Sequence, residues 1–345
     1  MKKLIALMLC LTLGAAMLLT GCSDPVAPNP EPEEYVYELI SDNKFQNGFI
    51  VSPANNSPDT YPLDYTLRCP GASGDIAWTA AQWGSKFGLG DSYGNELITG
   101  HAPYEPVKTG NAYRYEAPGK AFVIDPVDGK LTFEVTTSVE YVDEEGNIQP
   151  RKTGTEMWCH LLIQQGFGLL PLIKDVDQII LNMDVQITKM ENMFGDAAAE
   201  YNPNMHAAQF LMYLVVKSQN PADSEYMWFG IPLYDNRYQT FAENGMIDSG
   251  ENKFLYGMPS NDYLPGGLTV GTSEETVGHI SFDIVPYFER ALNICKTQFN
   301  RFQSSTVDDL YIQGMNLGWE VPGVFDVSAT VSNFSLKAYC KKAID

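Results

Sequence analysis

The sequence predicts an all-β fold: two antiparallel sheets packed face to face as a β-sandwich, with one peripheral α-helix. Three observations predict it. Apolar and polar residues alternate at period two in several separate segments. Stretches rich in Gly, Pro, Asn and Asp separate those segments. A single segment near the C-terminus shows helical spacing instead. The chain has 345 residues, of which 44% are hydrophobic and 12% aromatic, enough to bury a large core.

The first element precedes the fold. Lys2 and Lys3 lead into an apolar run from Leu4 to Leu19, which is short against the roughly 20 residues a membrane-spanning helix takes. The run closes on Leu19-Thr20-Gly21-Cys22, which resembles a bacterial lipobox. That resemblance implies a signal peptide over 1–21, cleavage before Cys22 and acylation of Cys22. It also implies an exported protein, lipid-anchored in the cell envelope, with the membrane face left open. Residues 22–34 carry Pro25, Pro28, Pro30 and Pro32 among acidic residues and read as a stiff tether. The folded body is expected over 35–345, with a division near 150 as the alternative because 35–130 is poorer in clear strands.

Leu131, Phe133, Val135, Thr137, Val139 and Tyr141 alternate with polar neighbours and read as one strand, turned at Asp143–Asn147. Glu156 to Gln165 reads as the next strand. Leu181, Met183, Val185 and Ile187 mark another. Ala208–Lys217 and Tyr226–Leu233 are apolar on both faces, as central strands are. Tyr287, Phe288, Ala291, Leu292, Cys295, Phe299 and Phe302 recur at helical spacing behind Pro286, which predicts a helix of about 16 residues with a core-facing stripe. Phe325, Val327, Ala329 and Val331 form a strand, and Asn333 breaks the rhythm before a last short one. The loops 52–62, 88–110, 193–205 and 234–276 are long, and loops of this kind carry recognition on β scaffolds.

The chain holds 43 acidic against 22 basic residues, a net charge of −21. Nucleic-acid binding needs the opposite sign, and no basic cluster offers itself to an acidic polysaccharide. Of six cysteines, Cys10 falls in the leader and Cys22 is the lipidation site. Cys69, Cys159, Cys295 and Cys340 allow up to two disulfides in an exported protein, and a buried free thiol suits Cys159 equally. No Cys or His spacing suggests zinc, and His101, His160, His206 and His279 are far apart. No cofactor is expected; Asp308-Asp309 or Asp42-Asn43 would suit a structural Ca2+, or ordinary turns. Walker, HExxH, GxSxG and GxGxxG signatures are absent.

The central strands and the segment Gly318–Leu336 give residues 120–340 a pattern that resembles the concanavalin A-like (lectin/glucanase) jelly roll. That resemblance implies lectin-like binding domains, glycoside hydrolases or lyases without choosing among them. Lyase patterns of the Gln-Ile-His kind are absent. The candidate site comes from parity: Glu156, Trp158, His160 and Gln164 share one face of a strand. An indole can stack on the C–H face of a sugar while the polar groups meet its hydroxyls. Trp228, beside Gly230, extends the set. Binding of a neutral oligo- or polysaccharide is the first expectation. A glycoside hydrolase using Glu156 and Glu320 is the second, since hydrolysis commonly needs two carboxyl groups about 5–9.5 Å apart. A structural or adhesive lipoprotein without a glycan site is the third.

Overall fold

The computed structural model describes residues 35–52, 65–89, 106–248 and 250–344. The leader, the tether, Cys22, His101 and most of the first two long loops lie outside these described residues. In chain order the strands are β1 (Tyr35–Glu38), β2 (Phe49–Val51), β3 (Tyr65–Leu67), β4 (Trp78–Ala81), β5 (Val107–Thr109) and β6 (Ala112–Ala117). Then come β7 (Lys120–Asp125), β8 (Lys130–Thr136), β9 (Cys159–Gly166), β10 (Val176–Asn192), β11 (Gln209–Ser218) and β12 (Tyr226–Asp235). The chain closes with β13 (Asn244–Ile247), β14 (Phe254–Gly257), β15 (Gly278–Asp283), α1 (Val285–Phe299), β16 (Leu310–Val321) and β17 (Phe325–Cys340).

Among the described residues these form two sheets. The smaller runs β15-β10-β17-β8-β7-β6-β5 with β1 added on β17, and the larger runs β13-β14-β12-β11-β16-β9-β4-β2-β3. The pairings are antiparallel except β2 with β4 and β12 with β14, which are parallel. The fold is therefore the two-sheet sandwich with one helix that the alternation predicts. Strands from either side of residue 150 share both sheets, as β8 with β17 and β4 with β9 show.

The core lies between the sheets. Phe133 of β8 meets Phe210 of β11 at 5.4 Å between ring centres, and Phe210 meets Trp319 of β16 at 5.1 Å. Phe49 of β2 and Phe122 of β7 make a second bridge at 5.2 Å. Helix α1 starts with Pro286 in its first turn and buries Tyr287, Phe288, Ala291, Leu292 and Cys295. Phe288 stacks on Phe229 of β12, and Phe299 packs on Phe254 of β14. The stripe is core, and Asn300 in the left-handed region ends the helix. Phe302 is buried too, but beyond that end.

Three sequence expectations need correction, and one open alternative is resolved. The strand predicted through Tyr141 stops at Thr136, because the Thr137 hydroxyl turns inward and donates to the Phe325 carbonyl at 2.7 Å. The break at Asn333 is no break: β17 is one strand with a bulge there, and Asn333 takes φ 51°. The long loop 234–276 contains β13 and β14. The four cysteines of the body form no disulfide: Cys69, Cys159, Cys295 and Cys340 are all free and buried. Burial pushes the Cys69 thiol up to about 11 and those of Cys159 and Cys295 up to about 12.

Candidate functional site

The site begins where β9 begins. The strand starts at Cys159, not Glu156, so Glu156, Met157 and Trp158 belong to the preceding loop. Arg151 explains why. It is buried, and its guanidinium donates to the carbonyls of Glu156 (3.0 Å), Thr153 (3.2 Å) and Gly154 (3.3 Å), winding 151–156 around itself. Its charge also sits 4.9 Å over the Trp158 ring. The Glu156 carboxylate accepts from the Lys152 N–H at 2.9 Å and the Thr153 hydroxyl at 3.3 Å. Glu156 thus holds a turn, and the strand face predicted to present it begins three residues later.

From Cys159 onward parity holds. Cys159, Leu161 and Ile163 enter the core, while His160, Leu162 and Gln164 take the outer face of the larger sheet. Trp158 and His160 are therefore outside the two layers, not sealed between them. Their rings stack at 5.4 Å, and Trp83 meets the imidazole edge-on at 5.7 Å. His160 Nδ1 donates to the Trp158 carbonyl at 2.8 Å, which fixes the tautomer of the neutral ring. Its Nε2 lies 3.8 Å from a Glu320 carboxylate oxygen.

Register then builds a polar row across four strands: His160 opposite Glu320, Glu320 opposite Gln209, Gln209 opposite Asp235. Gln209 donates to Asp235 at 2.8 Å. Arg237 clamps Asp235 through Nε at 2.8 Å and Nη2 at 2.5 Å, and its Nη1 donates to the Pro203 carbonyl at 2.9 Å. This forked pair is structural, with Asp235 buried and the Arg237 guanidinium held above its ordinary range by that carboxylate.

A cleft of about 360 Å³ opens at this row. Glu320, Gln209, Ala207 and Pro322 come from the sheet end; Arg151, Gly154 and Trp158 form one wall; Asn202, Asn204, Met205 and Arg237 form the other. His206 joins the walls. Its buried imidazole accepts the Asn202 N–H at Nδ1 (3.0 Å) and donates from Nε2 to the Arg151 carbonyl (2.9 Å). Burial is the largest cause holding its pKa below the usual imidazole value, against the Nε2 hydrogen bond to the Arg151 carbonyl, which pulls the other way. The Trp158 Nε1 is buried and has no partner.

The structure thus brings Trp158 and Glu320 to one cleft, with His160 bracing the indole from behind. It leaves Glu156 in its turn. Gln164 lies four residues along β9 from His160, opposite Asn316, and Trp228 lies farther still, packed edge-on by Tyr213 and Tyr226 at 5.8 and 5.2 Å. Tyr213 has its phenol pushed well above its usual pKa by burial first and by the Glu320 charge second. Sequence reasoning missed Arg151, Asn202, Asn204 and His206, which lie on loops where no periodicity speaks.

Among the described residues no group of three His, Cys, Asp or Glu side chains could hold a metal ion. Asp42 instead accepts the N–H groups of Gln46 and Asn47 at 2.8 and 2.9 Å, and Asp309 closes a capping box with Thr306. Two of the carboxylates that would suit Ca2+ thus hold turns.

Fold and site together define a β-sandwich protein with an aromatic and polar cleft at one end of its larger sheet. No family model and no curated protein matches this chain. Among solved structures, a metagenome-derived glycoside hydrolase family 12 endoglucanase is similar over 77% of this chain and 100% of its own, at 11% identity and a TM-score of 0.36. The native family 12 xyloglucanase from Bacillus licheniformis is similar over 69% of this chain and 98% of its own, at 14% identity and 0.35. The xyloglucanase domain of NopAA, a type three effector from Sinorhizobium fredii in complex with cellobiose, is similar over 70% and 99%, at 9% identity and 0.34. At these scores the likeness assigns no residue and no activity to this chain.

Proposed function

We propose that this chain is a glycan-binding protein that takes a neutral oligo- or polysaccharide in the cleft beside Trp158, anchored in the cell envelope through lipidated Cys22 and the 22–34 tether. The carrying observation is which groups of the cleft are already engaged. Arg151 is wrapped by backbone carbonyls and Arg237 is locked on Asp235, so neither guanidinium offers a fork to a uronate or phosphate. The rest of the lining is half-buried Trp158, whose ring also meets His160 and Arg151, with Gln209, Asn202, Asn204 and Glu320. Gln209 spends its amide N–H on Asp235 and Asn202 its amide oxygen on the Asn204 N–H, while Asn204 and Glu320 keep their side chains for a ligand. Those groups suit hydroxyls and a C–H ring face.

Binding is favoured over cleavage. Among the described residues Glu320 is the single carboxylate lining the cleft, and direct hydrolysis commonly uses two. Glu156 is held in its turn, and Asp235 is two strands away under Arg237. The test is a panel of neutral polysaccharides (β-glucan, xylan, mannan) titrated against the full chain in detergent. The expected result is binding to at least one, lost about tenfold or more in Trp158→Ala with the thermal midpoint nearly unchanged. Absence of binding across the panel would leave the structural or adhesive reading. Reducing-sugar release that disappears in Glu320→Gln would replace binding with hydrolysis.

A further inference from the structure

The chain leaves β12 through a tight turn that Asp235 and Tyr238 close, the Tyr238 N–H donating to the Asp235 carbonyl at 3.2 Å. Inside that turn Arg237 is fixed from two directions. Its Nε and Nη2 grip the Asp235 carboxylate, and its Nη1 reaches the Pro203 carbonyl. Arg237 lines the cleft, and its guanidinium carbon lies over the Tyr238 ring, 5.3 Å from the ring centre. A cation with no freedom of its own thus holds this ring from one side.

Tyr238 is 57% exposed. With one face on the guanidinium, that exposure leaves the other face to water. A lone exposed ring is ordinary surface; this one is immobilised, and its support is a wall of the cleft. Trp158 on the opposite wall is built the same way, its ring 4.9 Å from the guanidinium carbon of Arg151. Both walls therefore carry an aromatic ring backed by an arginine that is itself tied to the protein.

We propose that Tyr238 is a second stacking platform, and that the ligand of the cleft is an oligosaccharide long enough to rest on Trp158 and Tyr238 together. This inference rests on the glycan reading above and specifies the length and direction of its ligand. His160 and Asp235 end the polar row, and three strand-to-strand steps separate them, about 14 Å. Trp158 precedes the first and Tyr238 follows the last, so the two rings belong to opposite ends of that row. One pyranose does not reach from one to the other; several in line, crossing the strands over Glu320 and Gln209, do. The open face of Tyr238 receives the C–H face of a sugar. Ordering the ring costs little, because Arg237 already holds it. Stacking reads a flat ring and not one hydroxyl pattern, so this contact adds affinity with length.

The test titrates the full chain in detergent with cello-, xylo- and manno-oligosaccharides of two to six units, by calorimetry. Affinity for at least one series is expected to rise about tenfold or more from its shortest bound member to six units. Tyr238→Ala is expected to abolish that rise and leave the shortest bound member unaffected. Tyr238→Phe should keep the rise, because stacking needs the ring and not the hydroxyl. The thermal midpoint should hold in both, since Arg237 keeps its bonds to Asp235 and Pro203. Trp158→Ala, by contrast, should weaken every length. Six-unit probes bound equally well by Tyr238→Ala, or affinity that does not grow with length, overturns the platform while the cleft stands. An equal loss at every length, or a loss as large in Tyr238→Phe, overturns it as well. So does binding of polysaccharide with no binding of any oligosaccharide. Failure of the glycan reading itself shows separately, as silence across the whole polysaccharide panel.

Discussion

The two faces of the larger sheet are built from the same strands, one residue out of phase, and they treat polar atoms in opposite ways. On the inner face Leu161, Ile163, Phe210, Phe229 and Trp319 close against the other sheet, where water has no place. On the outer face the same strands present His160, Gln164, Gln209, Asn316 and Glu320. Part of that face is occupied by internal partners, as at Asp235 and Arg237, and part holds a buried acceptor without one, the Asn316 Oδ1. A side chain at one parity is judged by packing, and at the other by whether its hydrogen bonds are already made.

The largest expected effect would come from the inner face. Trp319→Ala removes a fully buried ring packed on Phe210 and Tyr234 and should cost about 3–5 kcal/mol of stability, read from denaturant unfolding. Trp319→Phe should cost far less, because it keeps most of the ring and removes an unpartnered buried Nε1. Equal losses from both would mean that the indole nitrogen matters more than packing.

On the occupied part of the outer face, Arg237→Ala should cost about 1.5–3 kcal/mol, since it leaves the buried Asp235 carboxylate without its guanidinium. Asp235→Asn in the same background should recover part of that loss. No recovery would show that Arg237 acts through the Pro203 carbonyl and loop 202–205 instead.

The smallest effect concerns pH. His206 is held below the ordinary imidazole pKa of 6.5, so the native state refuses a proton that the unfolded chain accepts. Its contribution to stability is present above about pH 6.5 and is lost as pH falls below that value toward the native pKa. A protonated ring would also point an N–H at the Asn202 N–H and loosen the two cleft walls. The thermal midpoint should therefore fall more steeply below pH 6.5 in the wild type than in His206→Asn. Parallel curves would remove His206 from the pH response.

Much of this contrast was legible in the sequence. Alternation at 131–135, 181–187 and 325–331 set the sandwich, and the spacing behind Pro286 set the helix, because burial on one face leaves a period that a single chain shows. Parity also placed His160 and Gln164 outward correctly. It failed at Glu156, because a buried Arg151 winds the preceding residues into a turn and no local pattern reveals that a guanidinium sits at its centre. It failed again at Thr137, whose hydroxyl bonds are made to residues almost two hundred positions away. The cleft itself joins β16, β11 and two loops across the chain, and such a meeting is a property of topology.

The four unpaired thiols carry a practical consequence. With Cys69, Cys159 and Cys295 shifted to about 11 or 12, these groups stay protonated and poorly nucleophilic at neutral pH. The body can thus reach its native state without an oxidant or an isomerase. Once formed, it should behave alike in oxidising and reducing buffers.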